Sequence, residues 1–114
     1  MIFTELQGDD LGVYHDNNYR MVSCMDGHIV FSFAQKGHAM TSHFASDKIG
    51  LRYVKPAIDS FCKWLFKHYP VKMIFAVIDK NRGGIMRLVK KCGFEYFAYD
   101  SDHSIYMRAR QWVV

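Results

Sequence analysis

Residues 80–100 read KNRGGIMRLVKKCGFEYFAYD, with an Asn and two glycines ahead of a basic segment that ends in Cys-Gly-Phe-Glu and then becomes aromatic. The apolar positions step by three or four residues, which is the spacing of one face of a helix. These positions are Ile85, Leu88, Val89 and Cys92. Asp79 or Asn81 is predicted to cap the start of the helix, and Gly93 to end it in a left-handed conformation. The segment therefore predicts a helix over residues 81–92, followed by a strand.

A second helix is predicted from KPAIDSFCKWLFKHYP, residues 55–70. Its apolar positions follow the same spacing and are Ile58, Phe61, Cys62 and Leu65. Pro56 fits the first turn of a helix, where no amide donor is needed, and Pro70 ends it. We expect this helix over residues 55–68, with its apolar face packed on a sheet.

The remaining segments have the patterns of strands. Asp26-Gly27 between apolar runs is a strong hairpin signal. VKMIFAVID is a nearly continuous apolar run bounded by charge, which is typical of a central strand buried on both faces. The predicted strands cover residues 1–6, 20–25, 28–34, 38–45, 71–79, 94–99 and 104–112. The sequence thus predicts an α+β fold: a mixed, mostly antiparallel twisted sheet of six or seven strands with two main helices.

An aromatic cluster falls on the next-to-last predicted strand. It consists of Phe94, Tyr96, Phe97 and Tyr99. Alternation along a strand predicts that every second ring packs inside the protein, and the alternative is a binding platform. We expect packing.

The composition is that of a globular protein. The 114 residues, of which 50% are hydrophobic and 16% aromatic, predict one domain over residues 1–114 with a single core. No apolar run is long enough to span a bilayer, and the N-terminus lacks the pattern of a secretory signal, so we expect a cytoplasmic protein without a membrane partner. The three cysteines have no C-x-x-C spacing, which predicts reduced packing residues and no metal site.

The net charge is +4, and the basic residues collect at residues 48–67 and 80–91. Such segments favour phosphate-bearing partners, either nucleic acid or a nucleotide cofactor. They are equally compatible with the solvated faces of two helices. Because no zinc-finger or helix-turn-helix pattern is present, we do not expect a nucleic-acid partner.

The order of elements, with NRGGIMRLVKKCGFE after a buried strand, resembles the GNAT superfamily of acetyl-CoA-dependent N-acyltransferases. The resemblance covers about residues 20–108 and rests on two elements. LVKKCGF, Leu88–Phe94, is similar to the family's Leu-x-x-x-x-Gly-Phe. RYVKPA, Arg52–Ala57, stands where the family has Arg/Gln-x-x-Gly-x-Gly/Ala. A competing register, ASDKIG, ends at Gly50, but the helix after it would be too long and would contain Pro56, so we prefer the register that begins at Arg52.

The resemblance implies a binding site for acetyl-CoA at the turn between a strand and the central helix. In this family the backbone N–H groups of that turn receive the pyrophosphate of the cofactor. The cofactor-binding residues implied here are Arg52, Tyr53, Val54, Lys55, Ala57 and Asn81. Lys55 replaces the family's first glycine and Pro56 has no N–H, so an ordinary loop before a helix is an open alternative. Asn81 is likewise either a ligand of the pantetheine arm or a simple helix cap.

The chemistry of the family has no full counterpart in this sequence. The family's Tyr, which protonates the departing thiolate, corresponds to Val89. The family's Glu base has no carboxylate counterpart in HAMTSHFA, where His38 and His43 are the candidate bases. The catalytic residues are therefore left unassigned.

Two functions are compatible with these observations. The first is an N-acetyltransferase that transfers the acetyl group of acetyl-CoA to an amine, with the cofactor in a V-shaped opening between the fourth and fifth strands. The second is a GNAT-shaped protein that has lost acetyl transfer and binds a protein partner. TSHFASDKIGLRYVKPA is loosely similar to a segment of the small GNAT-like internal virion proteins of short-tailed phages. That similarity implies a phage product acting in the virion or on a host protein.

Overall fold

The computed structural model describes residues 1–8 and 11–111 and contains one seven-stranded sheet with two α-helices on those residues. The strands are β1 Thr4–Leu6, β2 Arg20–Cys24, β3 Ile29–Lys36, β4 Ala39–Ser46, β5 Met73–Asp79, β6 Glu95–Tyr99 and β7 His103–Ala109. The helices are α1 Val54–His68 and α2 Gly83–Lys91, and short 3-10 turns cover Met25–Gly27 and Gly50–Tyr53. The predicted α+β class is confirmed. Trp112, placed in the last predicted strand, lies outside the described residues.

The strand order is β1-β2-β3-β4-β5-β7-β6. Neighbouring strands pair antiparallel except β4 and β5, which are parallel. This is the mixed, mostly antiparallel sheet that the hairpin signals predict, and it places β5 inside the sheet as expected. Asp26 and Gly27 both have positive φ, 56° and 87°, in the turn between β2 and β3.

The main core lies between α1 and the sheet, because the apolar face of the helix turns toward the strands. The Phe61 ring stacks on Phe31 of β3 with centroids 4.0 Å apart. All three cysteines are free and buried. Burial raises the pKa of Cys24 to about 11 and that of Cys62 to about 12, so both thiols are protonated and unreactive at neutral pH.

Helix α2 ends as predicted but does not begin as predicted. Gly93 has φ +86°, and the Phe94 N–H donates to the Val89 carbonyl at 3.1 Å, which closes the last turn. The prediction that Asp79 or Asn81 caps the helix is wrong. Arg82 occupies the cap position without a side-chain hydrogen bond, because the turn before it is closed by the backbone, Arg82 N–H to the Asp79 carbonyl at 3.0 Å.

An ion pair ties the two helices to the sheet. The Arg108 guanidinium on β7 donates to Asp59 Oδ1 of α1 and to the Cys92 carbonyl after α2, both at 3.0 Å. The Arg108 side chain is only 17% exposed, so this charge is held by its partners rather than by water.

The prediction that every second ring of the aromatic cluster packs inside is wrong. Phe94 is buried, but Tyr96, Phe97 and Tyr99 are 53%, 55% and 70% exposed. The reason is topological, because β6 lies at the edge of the sheet with β7 as its neighbour, and its register shifts between Tyr96 and Ala98.

The two parallel strands separate part-way along their length. β4 pairs with β5 from Ala39 to Ser42, opposite Met73 to Ala76. Beyond that point residues 43–46 pair with β3, and residues 77–79 pair with β7. The sheet therefore opens as a V between β4 and β5.

Within the described residues, no helix is long and apolar enough to cross a membrane.

Gly50 is predicted to be required for the packing of the turn after β4. A Cβ built there would lie 2.5 Å from the His28 carbonyl oxygen and 2.9 Å from Ile29 Cγ1, on the β2–β3 hairpin. Backbone atoms cannot move aside as the end of a flexible side chain can. Gly50→Ala should therefore lower the free energy of unfolding by about 1–3 kcal/mol. Gly8→Ala is the control, since nothing lies within 4 Å of its added Cβ. Chemical denaturation of both variants measures the effect, and equal stability of the two would contradict the close contact.

Candidate active site

The V between β4 and β5 forms a cleft of about 300 Å³. Its walls come from the separated ends of the two strands, the start of α2 and the segment at residues 11–14. The polar side chains that line it are Tyr14, His43, Ser46, Asp79 and Arg82. The separation of two paired strands thus provides a concave site with a few convergent polar groups.

His43 is the titratable ring in this cleft. Burial lowers the pKa of His43, and nearby His103 lowers it further, while Asp79 acts in the opposite direction. A histidine whose pKa lies below its ordinary value is neutral at physiological pH and has a free nitrogen lone pair. His43 is therefore suited to accept a proton.

Two tyrosines from the N-terminal segment hold the His43 ring. The Tyr14 and His43 ring centroids are 4.8 Å apart, and those of Tyr14 and Tyr19 are 5.5 Å apart at nearly right angles. The Tyr19 hydroxyl lies 3.5 Å from His43 Nε2. Burial raises the pKa of Tyr19, so this hydroxyl remains protonated beside the imidazole.

The rim of the cleft carries charges of both signs. Asp79 Oδ1 lies 3.4 Å from His103 Nε2, and Arg82 is exposed at the start of α2. An ammonium group can approach Asp79, and an anion can approach Arg82. No group of three or more His, Cys, Asp or Glu side chains in residues 1–8 and 11–111 could hold a metal ion.

The turn that follows β4 is closed by an internal carboxylate. Gly50 N–H donates to Asp47 Oδ1 at 2.9 Å, and Ile49 also donates its N–H to this carboxylate. Asp47 Oδ2 lies 2.5 Å from His28 Nδ1, and that hydrogen bond is the main reason that the pKa of Asp47 lies below its ordinary value. The first amides of the helical segment are thus satisfied by the protein's own anion.

The fold has solved counterparts, although no family model and no curated protein matches the sequence. The N-acetyltransferase PseH of Campylobacter jejuni, solved in complex with acetyl coenzyme A, matches with a TM-score of 0.67 and 13% identity over 84% of this chain and 71% of PseH. A GNAT-family acetyltransferase of Bacillus anthracis matches with a TM-score of 0.67 and 16% identity over 81% and 66% of the two chains. A mutant form of the spermidine N-acetyltransferase SpeG of Vibrio cholerae gives a TM-score of 0.69 at 12% identity over 83% and 68%.

The chain has the GNAT fold. This confirms the resemblance drawn from the sequence at the level of the fold. At identities of 12–16%, the roles of individual residues in these proteins do not transfer to this chain. The chemistry of the site depends on this chain's own side chains.

β4 ends at Ser46, a 3-10 turn covers Gly50–Tyr53, and α1 begins at Val54. Arg52–Ala57 therefore lies at the start of the central helix, where the preferred register puts it, and Pro56 falls in the first turn of α1. Binding of a pyrophosphate by this stretch stays a prediction.

The predicted cofactor-binding residues are spread along this segment. Arg52 and Tyr53 lie in the 3-10 turn, whereas Val54, Lys55 and Ala57 lie in the first turn of α1. Val54 and Ala57 are 3% and 0% exposed, so their side chains belong to the core.

Lys55 and Asn81 are not brought together. Lys55 lines a pocket with Lys91 at the last turn of α2, while Asn81 is exposed before the first turn of that helix. Binding of acetyl-CoA by the predicted set stays a prediction.

The candidate catalytic positions are only partly brought together. His38 is exposed at the turn before β4, at the end of the strand away from the cleft. Val89, which the sequence resemblance matches to the family's Tyr, is 1% exposed and borders a small apolar cavity of about 20 Å³ that His43 also lines. Of the two histidines considered from the sequence, the structure places His43 in the cleft.

Sequence reasoning did not assign several residues to the site, among them Tyr14, Tyr19, Asp47, Asp79 and Arg82. Asp47 had a usable signal, because an Asp three residues before Gly50 at the end of a strand is a helix-cap pattern. Tyr14 and Tyr19 had none, because their contact with His43 joins segments that are distant in sequence and follows from the fold.

The charge of Asp47 is predicted to stabilise the turn in a pH-dependent manner. A carboxylate whose folded pKa is depressed stabilises the protein above its unfolded pKa, about 4, and loses that contribution as the pH falls through the lower folded value. Asp47→Asn should therefore lower the Tm at neutral pH, and the difference from the wild-type Tm should shrink below about pH 4. Thermal unfolding monitored by circular dichroism across pH measures this. A Tm difference that stays constant down to the lowest pH would show that Asp47 does not act through its charge.

Proposed function

We propose that the protein is an N-acetyltransferase, acting as a single domain, that transfers the acetyl group of acetyl-CoA to an amine in the cleft between β4 and β5. The observation that supports this most is the position of His43, half-buried and held by two tyrosines where the strands separate. The acceptor is an amine of unspecified identity, and the reduced, buried cysteines are in keeping with a cytoplasmic setting.

The open edges of the two strands suit the cofactor's arm. Residues 43–46 and 77–79 lie beyond the last β4–β5 pair, so their facing backbone groups can hydrogen-bond the amides of a pantetheine chain as an added strand would. A backbone N–H on β4 can also polarise the thioester carbonyl.

In this proposal His43 accepts the proton of the amine. The amine nitrogen bonds to the carbonyl carbon, the carbon–sulfur bond breaks, and the proton of the amine passes to the neutral imidazole. Val89 can donate no proton, so the thiolate takes its proton from water. Asp79 at the rim attracts the ammonium form of the acceptor, which loses one proton to water before the neutral amine attacks.

The first test is calorimetric titration of the protein with acetyl-CoA. We expect micromolar binding that Lys55→Glu weakens, if Lys55 contributes charge toward the cofactor phosphates. Lys67→Glu, an exposed change on the same helix, is the control and should leave the affinity unchanged. Absence of heat and of a Tm shift at millimolar acetyl-CoA would overturn the acetyltransferase proposal.

His43→Gln should lower amine-dependent release of CoA thiol by about 100-fold, because the general base is lost. His38→Gln is the matched control, since it lies on the other end of β4 and is exposed. The wild-type rate should rise with pH and level off once His43 is neutral, below the ordinary histidine value of about 6.5. Equal rates for the two variants, with the Tm of each unchanged, would remove His43 from the mechanism.

A second candidate function is favoured by the turn after β4. Asp47 accepts from the Ile49 and Gly50 amides just before the predicted pyrophosphate site, and a carboxylate there repels phosphate. A GNAT-fold protein without acetyl transfer, which binds a protein partner inside a cell or a phage particle, accounts for this arrangement. Failure of both the wild type and Asp47→Ser to bind acetyl-CoA would favour this function.

A further inference from the structure

The β6 edge is the most exposed apolar feature of the sheet. Within the described part of the chain, β6 pairs with β7 alone, and its other side is an open edge. The strand presents Tyr96, Phe97 and Tyr99 with at least half of each side chain accessible. An open edge with exposed rings is a template for another strand, and natural proteins usually block such edges.

One face of this edge is cationic. Tyr96 and Tyr99 pair opposite Tyr106 and Ser104, which are two residues apart and so lie on the same face of the sheet. Lys80 Nζ lies 4.8 Å from the Tyr99 ring centroid.

The second cation on this face comes from α2. Lys90 Nζ lies 5.8 Å from the Tyr106 ring centroid, and the Tyr106 ring contacts Tyr96 at 5.7 Å. Helix α2 contains no acidic residue. The face therefore combines exposed rings with two ammonium groups, of which Lys90 has no carboxylate on its own helix.

The opposite face of the edge is apolar. The Phe97 ring packs 5.0 Å from Phe75 of β5 and remains 55% exposed. Glu95 is one residue from Tyr96 and so points to this second face. The acidic side chains beside Lys80 have partners of their own: Asp79 and Asp100 lie 3.4 Å and 3.2 Å from the His103 ring nitrogens, and Asp102 accepts from the Ser101 hydroxyl.

We propose that the β6 edge binds an extended acidic segment of another protein by strand addition. Every second side chain of the segment would be Asp or Glu and would face Lys80 and Lys90, and the alternate apolar side chains would pack near Phe97. Backbone hydrogen bonds to β6 provide the affinity, and the charges of Lys80 and Lys90 provide selectivity for acidic segments. The proposal is independent of chemistry in the cleft.

A second copy of this chain fits the edge less well. Two-fold pairing of β6 with itself would place both α2 helices on the same face of the joined sheet, which brings their lysines together. The chain also has a net charge of +4, so self-association concentrates like charge. Nucleic acid would use the lysines but not the backbone groups of the edge strand.

The test uses the whole chain and a capped synthetic peptide of alternating Glu and Val. We expect saturable binding by calorimetry, weakened by salt, and slower hydrogen exchange of β6 amides. The same peptide with Lys for Glu should bind at least tenfold more weakly. The double variant Lys80→Glu with Lys90→Glu should bind the Lys peptide more tightly than the Glu peptide. The control double variant Lys36→Glu with Lys67→Glu changes two exposed side chains elsewhere and should keep the preference for the Glu peptide.

Four results would overturn the proposal. They are equal binding of the two peptides, protection of amides outside β6, a dimer in sedimentation without peptide, or tighter binding of a single-stranded oligothymidylate than of the acidic peptide. Because the changes lie on exposed side chains, the variants should keep the wild-type Tm, which separates lost binding from lost folding.

Discussion

The separation of β4 from β5 is the constraint on which the rest of the site depends. The two strands share one parallel ladder as far as Ser42 and Ala76, and each then continues with a different antiparallel neighbour. A sheet that divides in this way leaves two facing edges without a ladder, and the site forms between them. His43 is the first β4 residue past the division, and it lines the cleft together with Tyr14.

The turn after β4 is held by close packing and by a carboxylate of its own. Gly50 has no Cβ, and the His28 carbonyl and Ile29 of the hairpin use that space. Asp47 accepts from the Gly50 amide, and His28 bonds to the other oxygen of that carboxylate. These contacts link the helix start to the β2–β3 hairpin.

The sequence predicts what is encoded locally. The spacing of apolar residues gave both helices, Gly93 gave the end of α2, and Asp26-Gly27 gave the hairpin. The exposure of the β6 rings depends on neighbours distant in sequence. Strand order decides whether a strand lies at the edge or the centre of a sheet, so alternation could not tell that these rings are exposed. The α2 cap failed for a local reason, because the Arg82 N–H donates to the Asp79 carbonyl and the backbone itself closes the turn.

The fold of this protein provides the cleft, but it does not by itself provide the catalytic groups. The GNAT fold supplies a divided sheet, but Val89 is a buried side chain that can donate no proton, and Asp47 is a carboxylate already bonded to the Gly50 amide. Any transfer in the cleft must then rely on proximity, a neutral base and backbone polarisation, which together can supply much of a rate without a side-chain acid. The open β6 edge carries no such requirement, because strand addition needs only unpaired backbone groups and complementary charge. The two surfaces can therefore serve separate partners.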